Sequence, residues 1–326
     1  MKFIVSTGIK TSVMKEIETP VYTDDEVLIR MKYVGVCMSE HYDWKNAKPG
    51  MAFGHEPMGI IEKAGKNVKD FKPGDRIGGF WGSSLPGTGG MVPYAAVNPK
   101  NALLIKLPKN VRDEDMLLEP LSCMMSAVSK TKVSMPGTEV AVVGCGYMGC
   151  GLISLLKLRG AYVIAIDIRK ESLENAKKYG ADEVYFAEEA KAKYLNGKFP
   201  GFEVVHEWAE TNESLDLAIN LTRQCGQLCV GAYHTGEKRL VDVQQLGVKA
   251  IEFLNTHPRE YNLSVAGAIN AVKLISSGAW NYKNVLTKVY PMNKFDLAHA
   301  ELETKYGKYM KAIIDMTKED GEPYIV

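Results

Sequence analysis

Val140-Ala-Val-Val-Gly144-Cys-Gly146-Tyr147-Met148-Gly149 leads into an apolar, helix-like run and then Val163-Ile-Ala-Ile-Asp167. The pattern reads as strand, glycine turn, helix, second strand and acidic tip. Gly144 permits the tight turn and Gly146 lets a pyrophosphate approach the backbone. Gly149 allows the helix to pack closely on the strand, with the helix N-terminus facing the phosphates. Glycine-rich turns alone are common. This one follows apolar β-formers, opens a helix, and meets an aspartate at about the twenty-residue spacing of dinucleotide folds. It predicts an α/β fold with a doubly wound parallel sheet, in which Gly144, Gly146, Tyr147, Met148, Gly149, Asp167 and Arg169 meet the cofactor. Asp167 can accept from the adenosine ribose hydroxyls and would repel a 2′-phosphate, which favours NAD over NADP. Arg169 weakens that preference, because it can pair with such a phosphate, or it lies as a lid on the adenine.

Toward the C-terminus the turn's helix ends at Gly160, and Tyr162–Ile166 is the next strand. Glu171–Tyr179 and Glu213–Arg223 read as helices, and Phe202–Glu207, Gln227–Gly231 and Ala250–Leu254 as further strands. His257 and Arg259 flank Pro258 just after the last of these, where they can line a cleft or sit in a solvated turn. Ala266–Ser276 has the spacing of an amphipathic helix.

Toward the N-terminus, residues 1–100 look all-β. Short apolar runs (Phe3–Val5, Val27–Val36, Met58–Ile61, Arg76–Phe80, Val92–Val97, Leu103–Leu107) alternate with turn formers, notably in the loops Lys66–Asp75 and Pro86–Gly90. No helix-length amphipathic stretch is expected before Asp113, where Asp113–Lys132 turns helical. Within this β-region stand Gly35-Val-Cys37-Met-Ser39-Glu40-His41 and Gly54-His55-Glu56-Pro57. Thiolate, imidazole and carboxylate suit zinc. In a regular strand His55 and Glu56 would face opposite ways, so both can ligate only across a bend. A core cysteine and a solvent-facing turn account for the same residues without a metal.

The chain's 326 residues have room for about two domains, and 46% apolar with 24% charged residues is ordinary for a globular protein. A formal net charge of +1 gives no nucleic-acid footprint, and no apolar run approaches membrane-spanning length. Met1–Ser6 reads as a strand without the features of a signal peptide, so a cytoplasmic location is expected. The six cysteines are scattered without CxxC spacing, which fits a reducing compartment.

The motifs around Cys37 and His55, then Lys72-Pro-Gly-Asp-Arg76, Leu118-Glu119-Pro120-Leu-Ser-Cys123 and the glycine turn, occur in an order that resembles the zinc-dependent medium-chain dehydrogenase/reductase superfamily. The resemblance covers essentially the whole chain and is nearest to the sorbitol and threonine dehydrogenase branch. It implies a GroES-like β-rich catalytic domain, discontinuous over 1–120 and 256–326, and a Rossmann NAD-binding domain over 121–255. It further implies one catalytic Zn2+ at Cys37, His55, Glu56 and Glu119, with Glu56, Glu119 or water completing the shell. Glu40 would support the zinc-ligating histidine. Ser39 would pass the substrate proton onward, through the cofactor ribose, to His41 or Tyr42. Tyr42, Trp44, Phe80 and Trp81 would wall the pocket, unless they are core aromatics, and Arg259 would approach substrate hydroxyls. The implied activity is reversible hydride transfer between NAD and a secondary alcohol of a polyol, sugar or cyclitol, in a homo-oligomer, dimer or tetramer.

Three departures stand out. The interval Ile77–Met91 is short and has no cysteine, so no structural zinc is expected and the usual subunit contacts are in doubt. The family's relay histidine lies five residues after the zinc cysteine, where this chain has Tyr42, with His41 one residue earlier. Glu40 replaces an aspartate. Two other readings are a zinc-free quinone or enoyl reductase of the same superfamily, and a non-catalytic nucleotide-binding protein. The Cys, His-Glu and Glu set disfavours both.

Overall fold

In a computed structural model, which describes residues 1–82, 85, 87–304 and 308–326, the chain builds two large sheets and one hairpin. Pro86 of the turn-rich Pro86–Gly90 loop lies outside the described residues. The first part runs β1 (Lys2–Gly8), β2 (Thr11–Glu16), β3 (Val27–Gly35), α1 (Met38–Lys45), β4 (Pro57–Ala64), β5 (Arg76–Phe80), β6 (Tyr94–Val97) and β7 (Leu103–Lys106). Then α2 (Leu118–Lys130) leads into β8 (Glu139–Val143), α3 (Tyr147–Leu158), β9 (Tyr162–Asp167), α4 (Lys170–Lys178), β10 (Glu183–Phe186) and α5 (Ala187–Tyr194). The second half of that unit is β11 (Phe202–Glu207), α6 (Asn212–Leu221), β12 (Thr222–Val230), α7 (Val243–Val248) and β13 (Glu252–Asn255). The chain ends with α8 (Tyr261–Ser276), β14 (Thr287–Pro291), α9 (Phe295–Leu302), β15 (Lys311–Asp315) and β16 (Tyr324–Ile325).

The six-stranded sheet is parallel throughout, in the order β10-β9-β8-β11-β12-β13. Its strand order reverses beside β8, which puts the ligand crevice at the C-terminal end of that strand. Strands buried on both faces need continuous apolar sequence, and Val140, Ala141 and Val142 are each 0% exposed.

The eight-stranded sheet runs β16-β14-β15-β3-β4-β5-β7, with β6 also paired to β3. Two of its pairings bring distant segments together. β3 and β4 are antiparallel with Val34 opposite Pro57, and β15 is antiparallel to β3 with Ile313 opposite Gly35. The residues just beyond Gly35, just before Pro57 and just before Ile313 therefore meet at one end of the sheet. Meanwhile α8 packs along α2, and Ala268 and Ala271 join the apolar cluster of Val140 and Leu152.

One expectation needs correction. The first hundred residues are not all-β, because Met38–Lys45 is helical. The buried face of α1 consists of Glu40, His41 and Trp44. Two of those three are polar, so the apolar periodicity that normally announces a helix is missing.

Candidate metal and cofactor site

Cys37 holds the N-cap position of α1, two residues beyond β3, and His55 and Glu56 directly precede β4. The bend at Gly54 (φ +103°) lies outside any strand, so the alternation that would separate His55 from Glu56 does not apply. Donor atoms of Cys37, His55 and Glu56 all lie within 4.8 Å of one another. Gly35 makes room for this arrangement: a Cβ there would stand 1.8 Å from Glu56 Oε2.

Each donor has a support. Glu40 Oε1 accepts from the Gly54 amide at 2.5 Å and lies 2.9 Å from His55 Nδ1. With Nδ1–H donating to Glu40, the other ring nitrogen is left to face the Cys37 sulfur. Burial disfavours the imidazolium. The Cys37 sulfur and the Glu40 and Glu56 carboxylates outweigh that effect and push the His55 pKa up to about 12. Such a strong pull on a proton marks a place that needs positive charge. Sulfur, nitrogen and carboxylate donors around one point fit zinc.

Lys311, the first residue of β15, points into the same place. Its buried ammonium lies 2.6 Å from Glu56 Oε2, and it donates to Glu56 Oε1 at 2.9 Å and to the Val36 carbonyl at 3.1 Å. Burial alone would lower its pKa, but Glu56, Cys37 and Glu119 raise it, so it stays charged and competes with a metal for Glu56. Sequence reasoning missed this residue. Its signal was a lysine opening the otherwise apolar run Ala312-Ile-Ile314.

Glu119, in the first turn of α2, faces the same cleft but stands outside the close three-donor group. Its pKa rises to about 7, through burial and then the like charge of Glu56; His55, Lys311 and the Cys123 thiol pull the other way. Cys123 lies one turn further along α2, with its thiol 3.7 Å from Glu119 Oε1.

These groups line one end of a cavity of about 1190 Å³, whose other end is the glycine turn. That exceeds the usual volume for a single drug-sized ligand and leaves room for a dinucleotide beside a small substrate. Gly144, Gly146, Tyr147, Met148, Gly149, Asp167 and Arg169 all line it. A Cβ on Gly149 would stand 2.0 Å from the Gly144 carbonyl oxygen, so close helix-on-strand packing requires glycine there. Asp167 Oδ2 accepts from the Cys145 amide at 2.8 Å. Oδ1 accepts from the Arg169 amide at 2.9 Å and from its guanidinium at 3.2 Å. Arg169 thus pairs with the carboxylate beside it rather than standing free.

The remaining candidates divide. Ser39, Phe80, His257 and Arg259 line the cavity. The Ser39 hydroxyl donates to the Cys37 sulfur at 3.3 Å, and Arg259 lies over the Tyr233 ring. Among the described lining residues, His41, Tyr42, Trp44 and Trp81 do not appear. His41 is turned inward, stacked on Trp44 and His299 and 3.1 Å from Glu303. Trp44 donates to Asp296, and Trp81 to the Met31 sulfur. Tyr42 lies against Gly236, where a Cβ would meet its ring at 2.1 Å. Each is held away from the cleft by a contact that is remote in sequence. The cavity also takes in Asp43, Lys191, Trp208 and Tyr233, none of which carried a sequence motif.

Comparison with known proteins agrees with this geometry. Residues 23–109 match the model of the alcohol dehydrogenase GroES-like domain, and residues 148–270 that of the zinc-binding dehydrogenase domain. Together these matches span more than half of the chain, which belongs to the zinc-dependent medium-chain dehydrogenase/reductase superfamily and is similar to its sorbitol dehydrogenase-like branch. Sorbitol dehydrogenase of Macaca fascicularis is 28% identical, covering 92% of this chain and 91% of its own. L-idonate 5-dehydrogenase of Vitis vinifera is 27% identical, covering 95% and 93%. The crystal structure of L-idonate 5-dehydrogenase from Escherichia coli superposes with a TM-score of 0.80 at 20% identity, covering 96% of this chain and 97% of that one. Among the described residues no helix is long and apolar enough to cross a membrane.

Proposed function

We propose that this superfamily member is a zinc- and NAD-dependent polyol dehydrogenase that interconverts a secondary alcohol and its ketone. The observation that carries the reading is the Cys37, His55 and Glu56 donor group opening onto the same cavity as the Gly144–Asp167 dinucleotide turn. The sorbitol and L-idonate dehydrogenases among its relatives support a polyol, sugar or cyclitol as substrate. Residues 1–120 and 256–326 would then form the catalytic domain, and 121–255 the nucleotide-binding domain.

Cys37, His55 and Glu56 would hold the zinc, with Glu119 in reserve. When bound, the metal supplies Lewis acidity that lowers the pKa of a substrate hydroxyl. The hydride chemistry belongs to the nicotinamide. The chain's own contribution is placement and charge. Glu40 fixes the tautomer and orientation of His55. Lys311 holds Glu56 and balances its charge. Ser39 stands beside Cys37 with a hydroxyl able to take and give a proton. The α3 N-terminus would receive the pyrophosphate, and Asp167 the adenosine ribose.

The test is NAD reduction followed by absorbance across polyols, cyclitols and simple secondary alcohols, with metal analysis of freshly purified protein. One zinc per chain and turnover with a polyol are expected. Metal-free protein that turns over an alkene or quinone instead would replace this reading by the zinc-free one. For the cofactor, Asp167→Ala should raise the Michaelis constant for NAD by about tenfold, the worth of roughly one hydrogen bond to a charged group. NADP should change far less; equal losses would remove the NAD assignment.

A further inference from the structure

Helix α1 presents one face to the cavity, and that face carries a carboxylate that no described residue pairs with. Ser39 and Asp43 both line the cavity. They are four residues apart on a helix, so their side chains share a face with about 5–6 Å between Cβ atoms. A carboxylate and a hydroxyl at that spacing can meet directly or through one water. The residues between them point elsewhere. His41 is buried against Trp44 and His299, and Tyr42 lies on Gly236.

Every other buried acid around the site has a partner. Glu40 holds His55 and the Gly54 amide, Glu56 holds Lys311, and Glu119 takes the Cys123 thiol. The half-buried Asp43 carboxylate has no hydrogen bond or ion pair with any described residue. An acid in a cleft without a structural partner is a candidate for a functional role.

We propose that Asp43 is the base that receives the substrate's proton from Ser39, in place of the imidazole that this helix turns away from the cleft. The inference rests on the dehydrogenase reading above. In the oxidative direction the carbinol carbon gives its hydride, with two electrons, to C4 of the nicotinamide. The hydroxyl oxygen gives its proton to Ser39 Oγ as the Ser39 proton passes to the Asp43 carboxylate. Asp43 then releases that proton to solvent. The products are ketone, reduced dinucleotide and one proton, and reduction runs the same steps backward.

Burial raises the Asp43 pKa above the ordinary carboxylate range. Of the charged groups facing it, Glu40 on its own helix adds to the rise and His55, before β4, opposes it. A base works best when its pKa approaches the working pH. Oxidation should therefore fail as pH drops through the Asp43 pKa, and ketone reduction should fail as pH rises through it.

The experiment compares the zinc-loaded enzyme with Asp43→Asn and Asp43→Glu. It uses the best alcohol from the polyol screen, with NAD affinity read separately from quenching of protein fluorescence. For Asp43→Asn, kcat/KM for oxidation should fall by about 10²-fold, the lower end of what a positioned base contributes. NAD affinity should stay within about twofold, which also shows that the variant is folded. The acid limb of the pH profile should vanish, Asp43→Glu should recover part of the rate, and added formate should partly rescue Asp43→Asn. An active parent enzyme whose Asp43→Asn variant keeps its rate and its acid limb overturns the relay alone. A parent enzyme that reduces no NAD with any alcohol overturns the dehydrogenase reading and the relay with it.

Discussion

The two ends of the cavity are built on opposite principles. At the Gly144–Gly149 turn the backbone makes the site. The chain must come within van der Waals limits of itself, as at Gly149 against the Gly144 carbonyl, so the residue types are dictated by sterics. At the Gly35–Glu56 end the side chains make the site. Glu40 and Glu56 are buried carboxylates, each met by a partner from elsewhere in the chain. A site made of backbone cannot change without disturbing the fold. A site made of paired side chains can lose one atom's chemistry while the sheet beneath it stands.

Cys37→Ser should separate the two ends most strongly. Sulfur-to-oxygen exchange at the α1 cap removes a soft donor but preserves size. Turnover should fall on the order of 10³-fold, as when a group that stabilises developing charge is lost. Zinc content should fall with it, whereas NAD affinity and the unfolding midpoint should barely move. A parallel collapse of NAD binding would show that the two ends are one cooperative unit.

The same contrast explains how much could be read from the sequence. The parallel sheet and its turn were legible because steric and apolar rules leave marks at fixed spacing; Phe202–Glu207 and Arg76–Phe80 fall where the apolar runs put them. The donors Cys37, His55 and Glu56 were legible as residue types, and family resemblance supplied their grouping. Helix α1 was not legible, because its inward positions are a glutamate, a histidine and a tryptophan. Whether His41 or Tyr42 faced the cleft also could not be read locally. Their orientations depend on His299 and Gly236, more than a hundred residues away. Lys311 was hidden for a related reason: a buried lysine is intelligible only beside the carboxylate it serves. Asp43 had no motif at all until the helix face was known.

A smaller effect is expected one step back from the donors. Glu40→Gln keeps the shape of the side chain but replaces the carboxylate that orients His55 with a neutral amide. Losing such a support typically weakens metal binding by 10–100-fold. Titration of zinc-loaded protein with a chelator should show a loss of roughly that size, and Glu40→Asp, the commoner family residue, should retain more affinity than Glu40→Gln. If Glu40→Gln binds zinc as tightly as the parent, the bonds to Gly54 and His55 serve only to shape the loop.

The smallest effect tests whether the side-chain end is under electrostatic load without its metal. Glu119 titrates near 7 in the fold, raised from 4.5 by burial and by Glu56. Below the unfolded value both states hold the proton, and Glu119 makes stability no more or less pH-dependent. As pH climbs from there toward 7 the unfolded chain gives up a proton that the folded protein keeps, so stability falls; above 7 the whole penalty is present. Glu119→Gln removes this dependence. In metal-stripped protein it should therefore be more stable than the parent at about pH 8, by on the order of 1 kcal/mol, and equal to it at about pH 4. With zinc bound, the cation favours the carboxylate and the advantage should shrink or reverse. Urea denaturation of both forms at both pH values checks the prediction. A constant difference across pH would mean that Glu119 acts through packing, and that the charge at this end is already balanced by Lys311.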